Sequence, residues 1–273
     1  MMKKTIALLL FVSVLSSLSA QKVNETVILY GKEQLSGFTI NISDATPAIV
    51  EGALAEKFQN QFGMKGSKKK GFHVYENQPC SAFGEARYDI YFTSTEVGKK
   101  KDKIVQLTLV VSTGNLNCIK FTSDPRTSRN IVAFLEAFPQ DVEAYKIKLR
   151  IAELKEKLAK LDKERQAIER DQTKIQDKIN VTTSEVKGLS DQLDKKNEEI
   201  EKLQDQYNQN YDSEVKDQIS AAMKEKQSIQ KSRDNAQKNL VKLNENLHKN
   251  YTKLENNKKE TEAAETELKS LEK

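Results

Sequence analysis

Catalysis and metal binding need side chains that titrate, attack or ligate, and this chain offers few in arrangements that could cooperate. It has two cysteines, Cys80 and Cys118, and two histidines, His73 and His248. Neither histidine has a second His or a Cys at ligand spacing, so no metal centre is expected. No Gly-x-Ser-x-Gly elbow occurs, and Gly63-Met64-Lys65-Gly66-Ser67-Lys68 lacks the spacing of a phosphate-cradling loop. Ser, Asp and Glu are plentiful, but their order along the chain does not group them into a triad. We therefore assign no catalytic residue, no metal and no cofactor, and expect a protein that is not an enzyme.

Two basic clusters remain, Lys68-Lys69-Lys70 and Lys99-Lys100-Lys101 with Lys103. Gathered on one surface they would bind an anionic glycan or lipid phosphate. Scattered, they keep loops and sheet edges soluble. Residues 21–126 carry fourteen Lys and Arg against eleven Asp and Glu, a balance that favours the second role. His73 lies between Phe72 and Val74 and reads as a strand histidine satisfied in place, and His248 as a surface residue.

The elements that must position these residues fall into two contrasting parts. All four prolines, all ten phenylalanines and nine of the ten glycines lie at or before Pro139. The remainder is mainly Lys, Glu, Asp, Gln, Asn, Leu and Ile. This asymmetry predicts a compact front and an elongated back rather than one large domain.

Residues 1–20 have the features of a secretory signal peptide. Lys3 and Lys4 precede the apolar run Ile6–Leu15, and small residues lead to Ala20. The segment resembles bacterial export signals that end in Ser-Ala-Gln. It implies a periplasmic or secreted protein of the cell envelope, cleaved after Ala20. No Cys follows the apolar run, so a lipoprotein is not expected, and no later stretch is long enough to cross a bilayer. In an oxidising compartment, Cys80 and Cys118 are expected to form one disulfide, worth about 4 kcal/mol on the chain-entropy model. Two buried free thiols are the alternative.

Over 21–126 the hydrophobic period is two, which predicts a small α+β domain: a mostly antiparallel sheet with one packed helix. Strands are expected at 26–30, 38–42, 71–76, 85–95, 103–111 and 116–121, with a turn near Gly31–Gly37. The helix should start with Thr46 as N-cap and Pro47 at its first position, and stop at Gly63. Residues 127–150 read as a connecting helix with a break or restart near Pro139.

From Ile151 the period becomes that of a coiled coil. One seam, over 151–207, comprises Ile151, Leu154, Leu158, Leu161, Arg165, Ile168, Gln172, Ile175, Ile179, Thr182, Val186, Leu189, Leu193, Lys196, Ile200, Leu203 and Tyr207. Residues 208–214 are turn-like, with Tyr207, Tyr211 and Asp212 at a hairpin tip. A second seam, over 215–271, comprises Val215, Ile219, Ala222, Lys226, Ile229, Arg233, Ala236, Leu240, Leu243, Leu247, Asn250, Leu254, Asn257, Thr261, Ala264, Leu268 and Leu271. Folding at Tyr211 into an antiparallel hairpin pairs Tyr207 with Val215, and so on to Ile151 with Leu271. Gln172 then faces Asn250 and Arg165 faces Asn257, while Lys196 facing Lys226 requires both ammonium groups to turn outward. The competing arrangement is a parallel dimer of one continuous helix.

Residues 127–273 balance 29 basic against 29 acidic residues, so no stripe suited to nucleic acid is expected. Their Lys/Glu/Leu heptads resemble the arms of chromosome-segregation and repair ATPases, without the nucleotide-binding heads. The layout also resembles exported coiled-coil activators of wall amidases, without their clustered histidines. The expected function is a non-enzymatic envelope spacer or scaffold that presents a small module to a protein partner. A homo-oligomer through the coiled coil is compatible with it. The alternatives are an anionic glycan or lipid binder, or a regulator of a cell-wall enzyme.

Overall fold

A computed structural model describes residues 22–98 and 103–273. The expected signal peptide, and Lys99, Lys100 and Lys101, lie outside the described residues. The chain divides into two compact units, one ending at Arg150 and one running from Ile151 to Lys273.

The first unit is built on six strands: β1 (Asn24–Tyr30), β2 (Glu33–Ile42), β3 (Ser67–Lys69), β4 (Phe72–Pro79), β5 (Arg87–Val97) and β6 (Ile104–Ser112). They form one antiparallel sheet in the order β1-β2-β6-β5-β4-β3. Helix α1 (Pro47–Phe62) starts where expected: Thr46 accepts a hydrogen bond from the Ile49 N–H, Pro47 follows the cap, and Gly63 ends the helix at φ 65°.

Three local expectations change. The β1–β2 connection needs only Gly31 and Lys32, so β2 begins at Glu33 rather than Phe38. Gly37 lies within β2 and not in a turn. A Cβ there would sit 2.8 Å from the Leu109 carbonyl oxygen, so the close approach of β6 requires glycine. The strand expected at 116–121 is replaced by a loop with a single bridge between Ser112 and Cys118. Asn115 and Leu116 there adopt left-handed φ of 50° and 58°, which a strand cannot contain.

Side chains alternate across the sheet and build two apolar clusters. On one face Phe38, Ile40, Ile90, Phe92, Leu107 and Leu109 pack under α1 through Val50, Leu54 and Phe58. The opposite face holds a smaller cluster of Leu35, Phe72, Val74, Tyr91, Val110 and Cys118. Cys80 belongs to the first cluster and Cys118 to the second, and both are free. The expected disulfide is therefore absent, because the sheet lies between the two thiols. Burial pushes the Cys80 thiol up to about 11, so it stays protonated and unreactive.

Helix α2 (Pro125–Asn210) begins with Asp124, whose carboxylate accepts from the Thr127 N–H at 3.0 Å. Its opening turns also cover the sheet, through Ile131, Phe134, Leu135, Phe138 and Val142. The helix continues through Pro139 without the expected break. Pro139 cannot donate to Leu135, but Leu135 and Phe138 are fully buried, and their packing outweighs the lost bond.

Within the second unit, α2 runs from Ile151 to Asn210 and is followed by helix α3 (Ser213–Leu271). Only Tyr211 and Asp212 separate them, a shorter turn than 208–214. Asp212 caps α3 by accepting from the Glu214 N–H at 2.9 Å. The helices pack antiparallel: Asn257 Nδ2 donates to the Leu161 carbonyl at 2.9 Å, and Lys155 pairs with Glu272 at 3.1 Å.

Phe58 carries the core of the first unit. It is fully buried, stacks on Phe134 at 5.8 Å and meets Tyr75 at 5.2 Å and Phe92 at 5.9 Å. Phe58→Ala is expected to destabilise this unit by about 3–5 kcal/mol. Urea unfolding followed by tyrosine signals would measure it, since the chain has no Trp. An unshifted midpoint contradicts the assignment.

Candidate functional site

Polar side chains from three strands of the first unit converge on Glu51, in the second turn of α1. Its Oε1 accepts from the Ser94 backbone N–H at 3.2 Å and from the Ser94 hydroxyl at 3.1 Å. Its Oε2 lies 3.1 Å from His73 Nε2 and 3.3 Å from Lys68 Nζ. The His73 ring stacks on Phe92 with centroids 4.6 Å apart. Glu51 thus ties α1 to β3, β4 and β5. Burial opposes ionisation of its carboxyl, but the bonds from His73, Ser94 and Lys68 outweigh burial and hold its pKa below the ordinary value. An ionised carboxylate only accepts, which assigns the proton on this edge of the ring to Nε2.

The order of groups decides what this cluster can do. Nucleophilic catalysis places an imidazole between hydroxyl and carboxylate, so that the ring can take the hydroxyl proton. Here the carboxylate stands between Ser94 and His73. The Ser94 hydroxyl also faces the Pro47 carbonyl oxygen at 3.2 Å, and the residue is buried. The arrangement is a clamp that holds α1 on the sheet.

The lysine cluster 68–70 does not form one surface. Consecutive strand residues point to opposite faces, and Lys68 turns to Glu51 while Lys69 pairs with Glu76 at 2.6 Å. Lys70, in the turn at φ 52°, places its ammonium 4.5 Å above the Tyr30 ring. Lys103 pairs with Glu96 at 2.5 Å.

A cleft of about 240 Å³ opens between α1 and the first turns of α2, lined by Glu56, Lys57, Asp141, Tyr145 and Lys148 among others. Its charges are matched internally, Lys57 with Asp141 and Lys148 with Glu56 at 2.5 Å. At this size it falls below the usual range for small-molecule sites. Among the described residues no group of three or more His, Cys, Asp or Glu could hold a metal ion. No helix of the described residues is long and apolar enough to cross a membrane.

In the second unit, every seam residue named from the sequence is at least partly buried except Arg165. Arg165 turns outward to Asp162 at 2.6 Å and Glu169 at 3.0 Å, so it does not bond its expected neighbour Asn257. Lys196 resolves the lysine layer by pairing with Glu199 at 2.6 Å and, across the hairpin, with Glu225 at 2.7 Å. At the tip, Tyr207 and Tyr211 place their rings 6.0 Å apart, and Tyr211 is 78% exposed. Tyr211 adopts φ 50°, a left-handed conformation that costs a β-carbon residue about 1–2 kcal/mol. The sequence drew attention to Tyr211 as a turn residue. Glu51 went unnoticed, because a lone Glu on a helix carries no local signal of its partners.

Two substitutions check these assignments. Glu51→Gln should destabilise the first unit by about 1–2 kcal/mol at neutral pH. The folded pKa is lowered, so the carboxylate's contribution is complete above the unfolded value and fades as pH falls through the folded one. Denaturation curves of wild type and variant should therefore converge in acid, and a gap that persists there rules out the clamp. Tyr211→Gly should stabilise the hairpin by about 1 kcal/mol by relieving the backbone, read as a higher helix-melting temperature. A lower one contradicts the strain.

No protein-family model, curated protein or solved structure matches this chain.

Proposed function

We propose that this chain is an exported, non-enzymatic protein of the cell envelope, in which the helical hairpin acts as a spacer or scaffold and the α+β unit is presented for protein–protein interaction. The observation that carries the reading is the unbroken seam. Two long helices turn their apolar stripes towards each other, with Leu154, Leu161, Ile179, Leu193, Ile200, Ala222, Ala236 and Ala264 buried and the other apolar seam residues partly buried. The resulting arm is suited to span distance and to offer outer faces for recognition. Export is supported by the character of residues 1–20 alone.

The glycan- or lipid-binding alternative has less support, because Lys68, Lys69 and Lys70 are engaged with Glu51, Glu76 and Tyr30 rather than gathered for an anion. Affinity capture from envelope extract should recover protein partners with the full chain and lose them when the chain is truncated after Arg150. An identical set of partners for both would remove the arm from recognition.

A further inference from the structure

The two edges of the sheet in the first unit are built differently. β3 has three residues, among them Lys68 and Lys69, and so protects its edge by brevity and charge. β1 has seven residues with Glu25 as its one charged side chain, and Val27 and Leu29 are each 62% exposed. Among the described residues no strand pairs with the outer side of β1. A two-residue hairpin turn is closed by a hydrogen-bonded pair, here Tyr30 with Glu33. Hydrogen-bonded and open pairs then alternate along the ladder. Asn24, Thr26, Ile28 and Tyr30 therefore bond β2, while Glu25, Val27 and Leu29 direct their N–H and C=O groups outward.

These outward groups specify an extended strand, since such a backbone offers a donor and an acceptor at every second residue. The side chains specify it further: two apolar residues beside Val27 and Leu29, on the same face, and no charge like that of Glu25 opposite it. A second β1, antiparallel and related by a two-fold axis at Ile28, meets each demand. It sets Val27 against Leu29 of the other copy and Leu29 against Val27, so the exposed apolar pairs pack on each other. Ile28 meets itself, and Thr26 meets Tyr30. Glu25 comes opposite Gly31, where a Cβ would lie 3.0 Å from Lys70 Nζ, so the one carboxylate of the strand approaches an ammonium. Moving the axis to Val27 loses this fit, because Glu25 then faces Leu29 and Lys22 faces Lys32.

We propose that β1 is a self-docking edge, through which two copies join their sheets antiparallel, Val27 and Leu29 of each bonding Leu29 and Val27 of the other. The proposal rests on the reading of the α+β unit as a contact module and names its partner. The arm is tested separately, by truncation after Arg150.

Light scattering and sedimentation of the purified chain should show a concentration-dependent rise from one chain mass to two. Amide hydrogen exchange should find the Val27 and Leu29 N–H groups fast in dilute solution and protected as the dimer forms. The Ile28 amide, bonded to β2, should be slow in both. Val27→Pro removes an outward donor that the hairpin itself does not use, and should weaken association roughly thirtyfold, the effect of one lost bond from each copy. Val27→Thr keeps the donor and should retain the dimer. Far-UV circular dichroism checks that both variants fold. Should the proline variant not fold, Val27→Lys with Leu29→Lys takes its place with the same expectation, because like charges then face each other across the pair. A chain that stays monomeric up to about 1 mM overturns the proposal. So does a dimer whose Val27 and Leu29 amides stay unprotected, or one that Val27→Pro and Val27→Thr weaken equally.

Discussion

The second unit depends on one constraint: neither helix can leave its apolar stripe in water. A helix of this length with a largely polar circumference gains most of its stability from what its stripe packs against. The stripe of α2 finds its match in α3 because a turn of two residues, Tyr211 and Asp212, returns the chain in the phase that sets layer against layer. Polar positions are accommodated without breaking the seam. Asn257 is buried and reaches the Leu161 carbonyl, Arg165 swings out to acidic neighbours, and Lys196 takes a carboxylate from each helix.

The first unit obeys a different constraint, the two-residue period of a sheet whose two faces are both partly covered. That period explains outcomes that looked unrelated in the linear chain. It sends Lys68 and Lys69 to opposite faces, and it leaves Cys80 and Cys118 in separate apolar clusters. The larger cluster recruits not one helix but two, since the opening turns of α2 join α1 over the same face. The burial of Leu135 and Phe138 there also carries the helix past Pro139.

Glu51 shows how a cluster of catalytic-looking side chains becomes a structural device. Hydroxyl, imidazole and ammonium each lie within hydrogen-bond reach of the carboxylate, which holds the central place. Its net effect is to stabilise an ionised group in a partly buried position and to fix α1 on β3, β4 and β5. Several charged groups of the first unit pair with one another, among them Lys57 with Asp141 and Lys148 with Glu56.

What the sequence by itself determined was whatever repeats locally. The Thr46-Pro47 start and Gly63 stop of α1, the alternation of β4, β5 and β6, and the three-four spacings over 151–207 and 215–271 were legible because each is set by neighbours within a turn or two. The start of β2 and the loop at 116–121 differ from the local pattern, because Gly37 is set by the approach of β6 and Leu116 by a tight turn. Only the tertiary structure decided which distant groups meet: Glu51 with His73 and Ser94, and each cysteine with its own face of the sheet. Those meetings follow from strand order and register, which depend on the whole core closing at once and leave no mark on any short stretch of chain.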